Sequence, residues 1–155
     1  RGGGMDGSIG RGSTIGRSGE LVRQQGAREV HVVIHSPPVM FPCYYGIDMS
    51  TPEELVARQI YGPAPGPDRL EDAREVIESA FSRFFDVDSL TYLSVDTLRQ
   101  AENGGRCAAC FDGAYPVTIP ACDREDIEAN RRRQDVRCAS VGSRGPNPSF
   151  VTRSV

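Results

Sequence analysis

Three cysteines in two short segments are the residues of this chain best suited to metal chemistry. Cys107 and Cys110 are separated by two alanines, and Cys43 follows a Ser-Pro-Pro corner at residues 36–38. A Cys-x-x-Cys pair lets two thiolates converge on one centre, to which distant cysteines add further ligands. The spacing alone leaves two interpretations open: a zinc or iron–sulfur site, and thiols that only pack in the interior.

Other uses of cysteine fit this chain less well. Five cysteines are an odd number, and no charged-then-apolar leader begins the sequence, so we do not expect a disulfide framework. A redox Cys-x-x-Cys pair begins a helix, where the helix dipole lowers the thiol pKa. Here Phe-Asp-Gly-Ala-Tyr-Pro follows at 111–116 and predicts a loop. Cys122 and Cys138 lie in a polar region and are interpreted as incidental.

The first half of the chain has the pattern of an α/β protein. A helix is predicted from Ser18 to Gln25, ending at Gly26, and the β-branched residues 29–34 predict a buried parallel strand. Thr51 and Glu54 form a capping box around Pro52, which predicts a helix from Pro52 to about Gln59.

The second half continues the same alternation up to a change in composition. Asp68 is a predicted cap for a helix whose buried face carries six apolar residues: Leu70, Ala73, Ile77, Ala80, Phe81 and Phe84. A short strand over 89–93 and a helix capped by Ser94 follow. Residues 1–118 are therefore predicted to form an α/β domain and residues 119–155 a polar, disordered tail.

Composition excludes several classes of partner. The formal charge of −3 and the lack of a cationic cluster argue against nucleic acid, and no apolar run approaches the roughly 18 residues of a membrane span. All 18 basic residues are arginine, which excludes a Schiff-base lysine within these residues. We expect a protein of the cytoplasm with neither nucleic acid nor membrane as a partner.

Two sequence phrases carry a resemblance to a known family. Residues 36–48, Ser-Pro-Pro-Val-Met-Phe-Pro-Cys-Tyr-Tyr-Gly-Ile-Asp, and residues 107–116, Cys-Ala-Ala-Cys-Phe-Asp-Gly-Ala-Tyr-Pro, resemble the iron–sulfur-containing class of amidophosphoribosyltransferases. The resemblance extends over roughly residues 5–118. It implies part of a type I phosphoribosyltransferase domain, a parallel sheet with flanking helices, truncated at its N-terminal side. It also implies a 4Fe–4S cluster held by Cys43, Cys107 and Cys110, with a fourth ligand upstream.

Residues 5–14, Met-Asp-Gly-Ser-Ile-Gly-Arg-Gly-Ser-Thr, resemble the loop of this family that binds phosphoribosyl pyrophosphate (PRPP). Such a loop presents backbone amides, hydroxyl groups and a helix N-terminus to a phosphate. The resemblance implies that Asp6 binds Mg²⁺ and that five residues bind PRPP: Ser8, Arg11, Gly12, Ser13 and Thr14. Gly7 stands where the family has a second acid, and the glycine-rich strand before it is expected to form poorly.

The resemblance implies the function of the parent enzyme. That enzyme converts PRPP, glutamine and water to 5-phosphoribosylamine, pyrophosphate and glutamate in the first step of de novo purine (IMP) biosynthesis, and it is expected to be a homo-oligomer. The resemblance implies that this chain is the C-terminal portion of that enzyme, and this fragment alone is expected to be inactive. One alternative is a non-enzymatic iron–sulfur or zinc binding fragment with a decayed PRPP loop. Another is a salvage or regulatory phosphoribosyltransferase, against which the cysteine phrases argue.

Overall fold

The computed structural model describes residues 2–47, 49, 51–66, 69–101 and 106–141, without the side chains of residues 2–6, 13 and 134–141. The chain divides into two compact units, residues 1–118 and residues 119–155. The polar tail is predicted to begin at this same boundary.

A parallel three-stranded sheet organises the first unit. Its strands are β1 (Gly2–Asp6), β2 (Val30–Ile34) and β3 (Ser89–Tyr92), in the order β1-β2-β3. Val32 of β2 is in register with Gly4 of β1 and Leu90 of β3. Alternate residues of β2 are buried, whereas His31 and Val33 on the other face are exposed. The predicted parallel strand at 29–34 is confirmed, but it is buried on one face only.

The expectation that the glycine-rich first strand forms poorly is wrong. β1 pairs with β2 over all five of its residues, from Gly2 to Asp6. Strand pairing uses backbone N–H and C=O groups, which glycine also carries, and the adjacent strand β2 supplies a complete row of partners.

Helix α1 (Ser13–Gln24) follows β1 and begins five residues earlier than predicted. Gly12 precedes it with φ of +75°, a left-handed conformation that disfavours any side chain. An added Cβ at Gly12 would lie 3.1 Å from the ring of Phe85, and one at Gly16 3.3 Å from the same ring. The glycines therefore let α1 approach the apolar core closely.

The predicted helix over 52–59 is two separate helical segments. A 3₁₀ turn spans Pro52–Glu54 with the predicted capping box, and helix α2 spans Val56–Tyr61. Leu55 between them is extended, with ψ of 108°. At this break, the Val56 N–H donates to the Gly10 carbonyl at 3.0 Å. This hydrogen bond to a distant part of the chain replaces one that a continuous helix would make within itself.

Helix α3 (Leu70–Phe84) packs beside β3 with Ala73, Ile77 and Phe81 fully buried. Phe84, predicted on the same face, is instead 43% exposed, because the helix ends there and its ring packs edge-on against Phe85. The predicted cap Asp68 lies outside the described residues.

The remaining helices are α4 (Val95–Ala101), α5 (Ala109–Asp112) and α6 (Ala121–Val141). The predicted Ser94 cap is confirmed by a 3.1 Å bond from the Thr97 N–H to its hydroxyl oxygen. A loop is predicted directly after Cys110, but this prediction is wrong for Phe111 and Asp112, which belong to α5.

Helix α6 occupies residues for which the sequence predicts an irregular tail. It has no apolar stripe, and its acidic and basic residues allow pairs one turn apart, such as Glu128 with Arg132 at 3.8 Å. None of the helices in the described ranges is long and apolar enough to cross a membrane.

Candidate functional site

The two segments that carry the cysteines meet in the first unit. The backbone N–H groups of Met40 and Phe41 both donate to the carbonyl oxygen of Cys110, each at 3.0 Å. The extended, proline-rich stretch before Cys43 leaves these amides without partners in a helix or strand of their own. The Cys110 carbonyl satisfies both, which places Cys43 near the turn that holds Cys107 and Cys110.

The three thiols interact electrostatically in this arrangement. Cys43 and Cys110 are half-buried, and Cys107 is exposed. The pKa of the Cys110 thiol is raised to about 11, mainly by burial and to a smaller extent by negative charge on Cys43, Cys107 and Asp112. The structure thus brings together the three cysteines that the sequence indicates.

Asp112 stabilises the turn that holds Cys107 and Cys110, and it is a residue that sequence analysis missed. Its side chain is buried; one carboxylate oxygen accepts from Arg99 of α4 at 2.6 Å and the other from the Ala114 N–H at 2.7 Å. Both oxygens are therefore engaged, so Asp112 supports the turn and does not offer a free metal ligand. Because the sequence predicts a loop over 111–116, it contains no signal for this role.

Gly113 lets the two segments pack in direct contact. It ends α5 with φ of +73°, and an added Cβ would lie 2.8 Å from two ring atoms of Phe41. That distance is too short for two carbon atoms, so the site requires glycine on both conformational and steric grounds.

Tyrosines on both segments complete the contact. The Tyr115 hydroxyl donates to the Pro42 carbonyl at 2.6 Å. The Tyr45 hydroxyl donates to the Val117 carbonyl at 2.7 Å and accepts from the Val117 N–H at 3.0 Å. Sequence reasoning predicts that Tyr45 packs around the cluster, and it assigns no role to Tyr115.

A second candidate site lies where β1 ends and α1 begins. Ser8, Arg11 and Thr14 are exposed, and Gly12 holds the left-handed turn into the helix. Ser13 is the first residue of α1, and Asp6 is the last of β1. The side chains of Asp6 and Ser13 lie outside the described part of the chain.

The charge around this loop is favourable for an anion. The first turn of α1 contains no acidic residue and no side-chain cap bonds its N–H groups, so the positive end of the helix dipole is not neutralised locally. The Arg11 guanidinium lies 3.5 Å from the Glu54 carboxylate, which also accepts from the Thr51 N–H in the capping box. Glu54 therefore links the loop to the turn before α2.

Among the described residues, no group of three or more His, Cys, Asp or Glu residues is placed to hold a single metal ion. A multi-iron cluster is wider than one ion and separates its thiolate ligands accordingly. Cys122 is exposed in the second unit. The side chain of Cys138 is outside the described residues.

Sequence comparison identifies the relatives of this chain. An amidophosphoribosyltransferase of Drosophila melanogaster is 40% identical over 129 residues, which cover 75% of this chain and 21% of the relative. The amidophosphoribosyltransferase of Bacillus subtilis is 40% identical over 122 residues, covering 74% of this chain and 22% of the relative. This chain is a relative of the amidophosphoribosyltransferases. The predicted resemblance to the amidophosphoribosyltransferases is confirmed.

Solved structures of amidophosphoribosyltransferases share the fold. The B. subtilis glutamine PRPP amidotransferase complexed with ADP and GMP matches with a TM-score of 0.55 and 39% identity, covering 77% of this chain and 24% of that one. A structure described as the allosteric regulatory enzyme of purine biosynthesis matches with a TM-score of 0.55 and 38% identity, with the same coverage. The predicted α/β fold, part of a type I phosphoribosyltransferase domain, is confirmed.

The match is limited in extent. The chain spans about a fifth of the length of the curated amidophosphoribosyltransferases it matches. No family model matches the chain.

Proposed function

We propose that this chain is part of an amidophosphoribosyltransferase, the transferase of the first step of purine biosynthesis. In that reaction the nitrogen of ammonia released from glutamine bonds to C1 of PRPP, and the bond from C1 to the diphosphate oxygen breaks. One observation carries the proposal: the segments of Cys43 and of Cys107 and Cys110 meet, in a chain about 40% identical to enzymes of this name.

The PRPP phosphate is assigned to the loop between β1 and α1. The hydroxyls of Ser8, Ser13 and Thr14 and the guanidinium of Arg11 would donate to it, together with the N–H groups at the start of α1. Gly12 has a positional role, because its left-handed turn directs those N–H groups and a side chain there would press on Phe85.

Magnesium is assigned to Asp6, whose carboxylate is a ligand that Mg²⁺ prefers. When bound, the ion supplies positive charge to the diphosphate leaving group. Gly7 occupies the position of the second acid in the family, and an added Cβ there would meet no atom within 4 Å. The position therefore has room for the carboxylate that this chain lacks.

A 4Fe–4S cluster is assigned to the site formed by Cys43, Cys107 and Cys110. The donor set fits, because cysteines on two joined segments supply three of the four thiolates such a cluster needs. The fourth ligand is assigned to another part of the parent enzyme. In this proposal the cluster would stabilise the fold and take no part in the reaction.

Partners and location follow from the same assignment. Glutamine is a substrate of the parent enzyme at a site outside this chain, and the enzyme is proposed to act as a homo-oligomer. A cytoplasmic location is proposed for the parent enzyme, as expected from its sequence.

Metal analysis of cysteine variants tests the cluster. The protein from the complete coding sequence is purified without oxygen, and its iron, sulfide and zinc are measured. Replacing Cys43, Cys107 or Cys110 by serine should each remove the iron, and Cys122→Ser, an exposed cysteine of the second unit, is the matched control. Zinc in place of iron would support the alternative of a zinc binding module, and iron kept in all three variants would refute the assignment.

Calorimetry with Mg-PRPP tests the loop in the same protein. Thr14→Ala should weaken binding, and Gly7→Asp should strengthen it by about 1.5–3 kcal/mol, the range for a hydrogen bond to a charged group. Thr91→Ala removes the same groups from an exposed position on β3 and should change nothing. Unchanged affinity in both loop variants would remove the loop from the PRPP site.

A further inference from the structure

Cys43 lies between two anchor points on the segment that carries the other cysteines. Before it, Met40 and Phe41 donate their N–H groups to the Cys110 carbonyl. After it, the Tyr45 hydroxyl bonds both the N–H and the C=O of Val117. Only three residues separate Phe41 from Tyr45, so fixing both leaves Cys43 little freedom to move away.

A third hydrogen bond, from Tyr115, also fixes the segment of Cys43. Tyr115 donates its hydroxyl proton to the carbonyl of Pro42, the residue directly before Cys43. The Tyr115 ring also packs against Tyr44 and Tyr45, with centroid separations of 5.2 Å and 6.0 Å. Each of these contacts joins one part of this chain to another.

We propose that Tyr45 and Tyr115 are positioning residues that hold Cys43 beside Cys107 and Cys110 in the metal-free protein. The proposal rests on the proposed function in assigning these thiols to a cluster. Closing the long loop from Cys43 to Cys107 costs conformational entropy, and the tyrosine contacts offset that cost before any metal binds. Loss of iron should therefore leave the two segments joined.

Thiol cross-linking tests the position of Cys43 directly. In the metal-free protein from the complete coding sequence, Cys122→Ser and Cys138→Ser leave Cys43, Cys107 and Cys110 as the thiols of this chain, and dibromobimane cross-links among these three are identified by mass spectrometry. Tyr45→Phe and Tyr115→Phe remove one hydroxyl each and keep the rings. Tyr61→Phe is the matched control, because its hydroxyl in α2 has no hydrogen-bond partner among the described residues.

The ratio of two cross-links separates positioning from general unfolding. Cys107 and Cys110 belong to one short segment, so their mutual cross-link does not need the tyrosines, whereas cross-links to Cys43 do. In the double tyrosine variant, cross-linking of Cys43 should fall about tenfold relative to the Cys107–Cys110 cross-link, the effect of losing hydrogen bonds of ordinary net strength. Tyr61→Phe should leave the ratio unchanged.

Two results would overturn the proposal: an unchanged ratio in the double variant, or a parent chain in which Cys43 does not cross-link at all. Iron analysis of the same variants, loaded without oxygen, keeps this test distinct from that of the cluster. If the protein with both tyrosines contains iron but the cross-link ratio does not change in the double tyrosine variant, the cluster assignment holds and the positioning role is refuted. If the ratio changes in the double variant but the protein with both tyrosines contains no iron, the positioning role holds and the cluster assignment is refuted.

Discussion

Replacing Gly113 by alanine tests whether the close packing of the two cysteine segments contributes to stability. Gly113 has φ of +73°, and its added Cβ would lie 2.8 Å from two ring atoms of Phe41. The substitution therefore imposes a backbone term and a steric term at once, at the point where the segment of Cys43 meets the segment of Cys110.

The two terms have different sizes. A left-handed conformation costs an alanine about 1–2 kcal/mol relative to glycine. Inserting a methyl group into a packed contact costs about 1–3 kcal/mol, and the lower half of that range applies because Phe41 is only half-buried and its ring can shift. Gly113→Ala should thus lower the free energy of unfolding by about 2–4 kcal/mol in total.

Urea denaturation followed by far-ultraviolet circular dichroism measures this loss. Gly26→Ala is the matched control, because Gly26 has φ of +91° but its added Cβ would meet no atom within 4 Å. It should lose only the backbone term. In a Phe41→Leu background, which removes the ring, Gly113→Ala should cost no more than Gly26→Ala does.

The packing explanation fails if Gly113→Ala and Gly26→Ala are equally destabilising in the parent chain. It also fails if the extra cost of Gly113→Ala persists unchanged in the Phe41→Leu background, since the clash would then have another source.

Three further predictions concern single charged or titrating groups. Arg99→Met leaves the buried Asp112 carboxylate without its guanidinium partner and should destabilise the chain by about 1–3 kcal/mol in urea, so an unmoved midpoint would contradict the buried ion pair. In the metal-free protein, alkylation of Cys110 by iodoacetamide, followed by mass spectrometry, should keep accelerating up to about pH 11 because burial raises its pKa, and a plateau near the ordinary value of 9.0 would contradict the burial. The hydrogen bond from the Val30 N–H lowers the pKa of Asp88 in the folded protein. The Asp88 carboxylate therefore stabilises the fold above its unfolded pKa, and this stabilisation is lost as the pH falls through its folded pKa. Asp88→Asn should lower Tm at pH 7, and an equal loss of Tm at pH 2 would count against the hydrogen bond as the cause.

The elements predicted correctly have local causes. The β-branched run of β2, the Thr51–Glu54 capping box and the Ser94 cap are all specified by residues within a few positions of one another. Periodicity and capping act over one or two turns, so the sequence contains the whole interaction.

The elements predicted incorrectly have causes elsewhere in the chain. β1 forms because β2 pairs with it, and the helix predicted over 52–59 breaks at Leu55 where the Val56 N–H bonds to Gly10. Phe84 is exposed although the helical period places it on the buried face. In each case a tertiary partner or a helix end overrides the local pattern.

The sequence by itself determined which residues are chemically suited to each site: three thiols for a metal cluster, and a loop of small and hydroxyl residues for a phosphate. Tertiary structure alone decided how the thiols are held, through the carbonyl of Cys110, the buried Asp112 and the hydroxyls of Tyr45 and Tyr115. The physical reason is that these bonds end on backbone groups or on partners distant in the chain. Every residue carries the same backbone groups, so residue identity does not reveal which of them will meet.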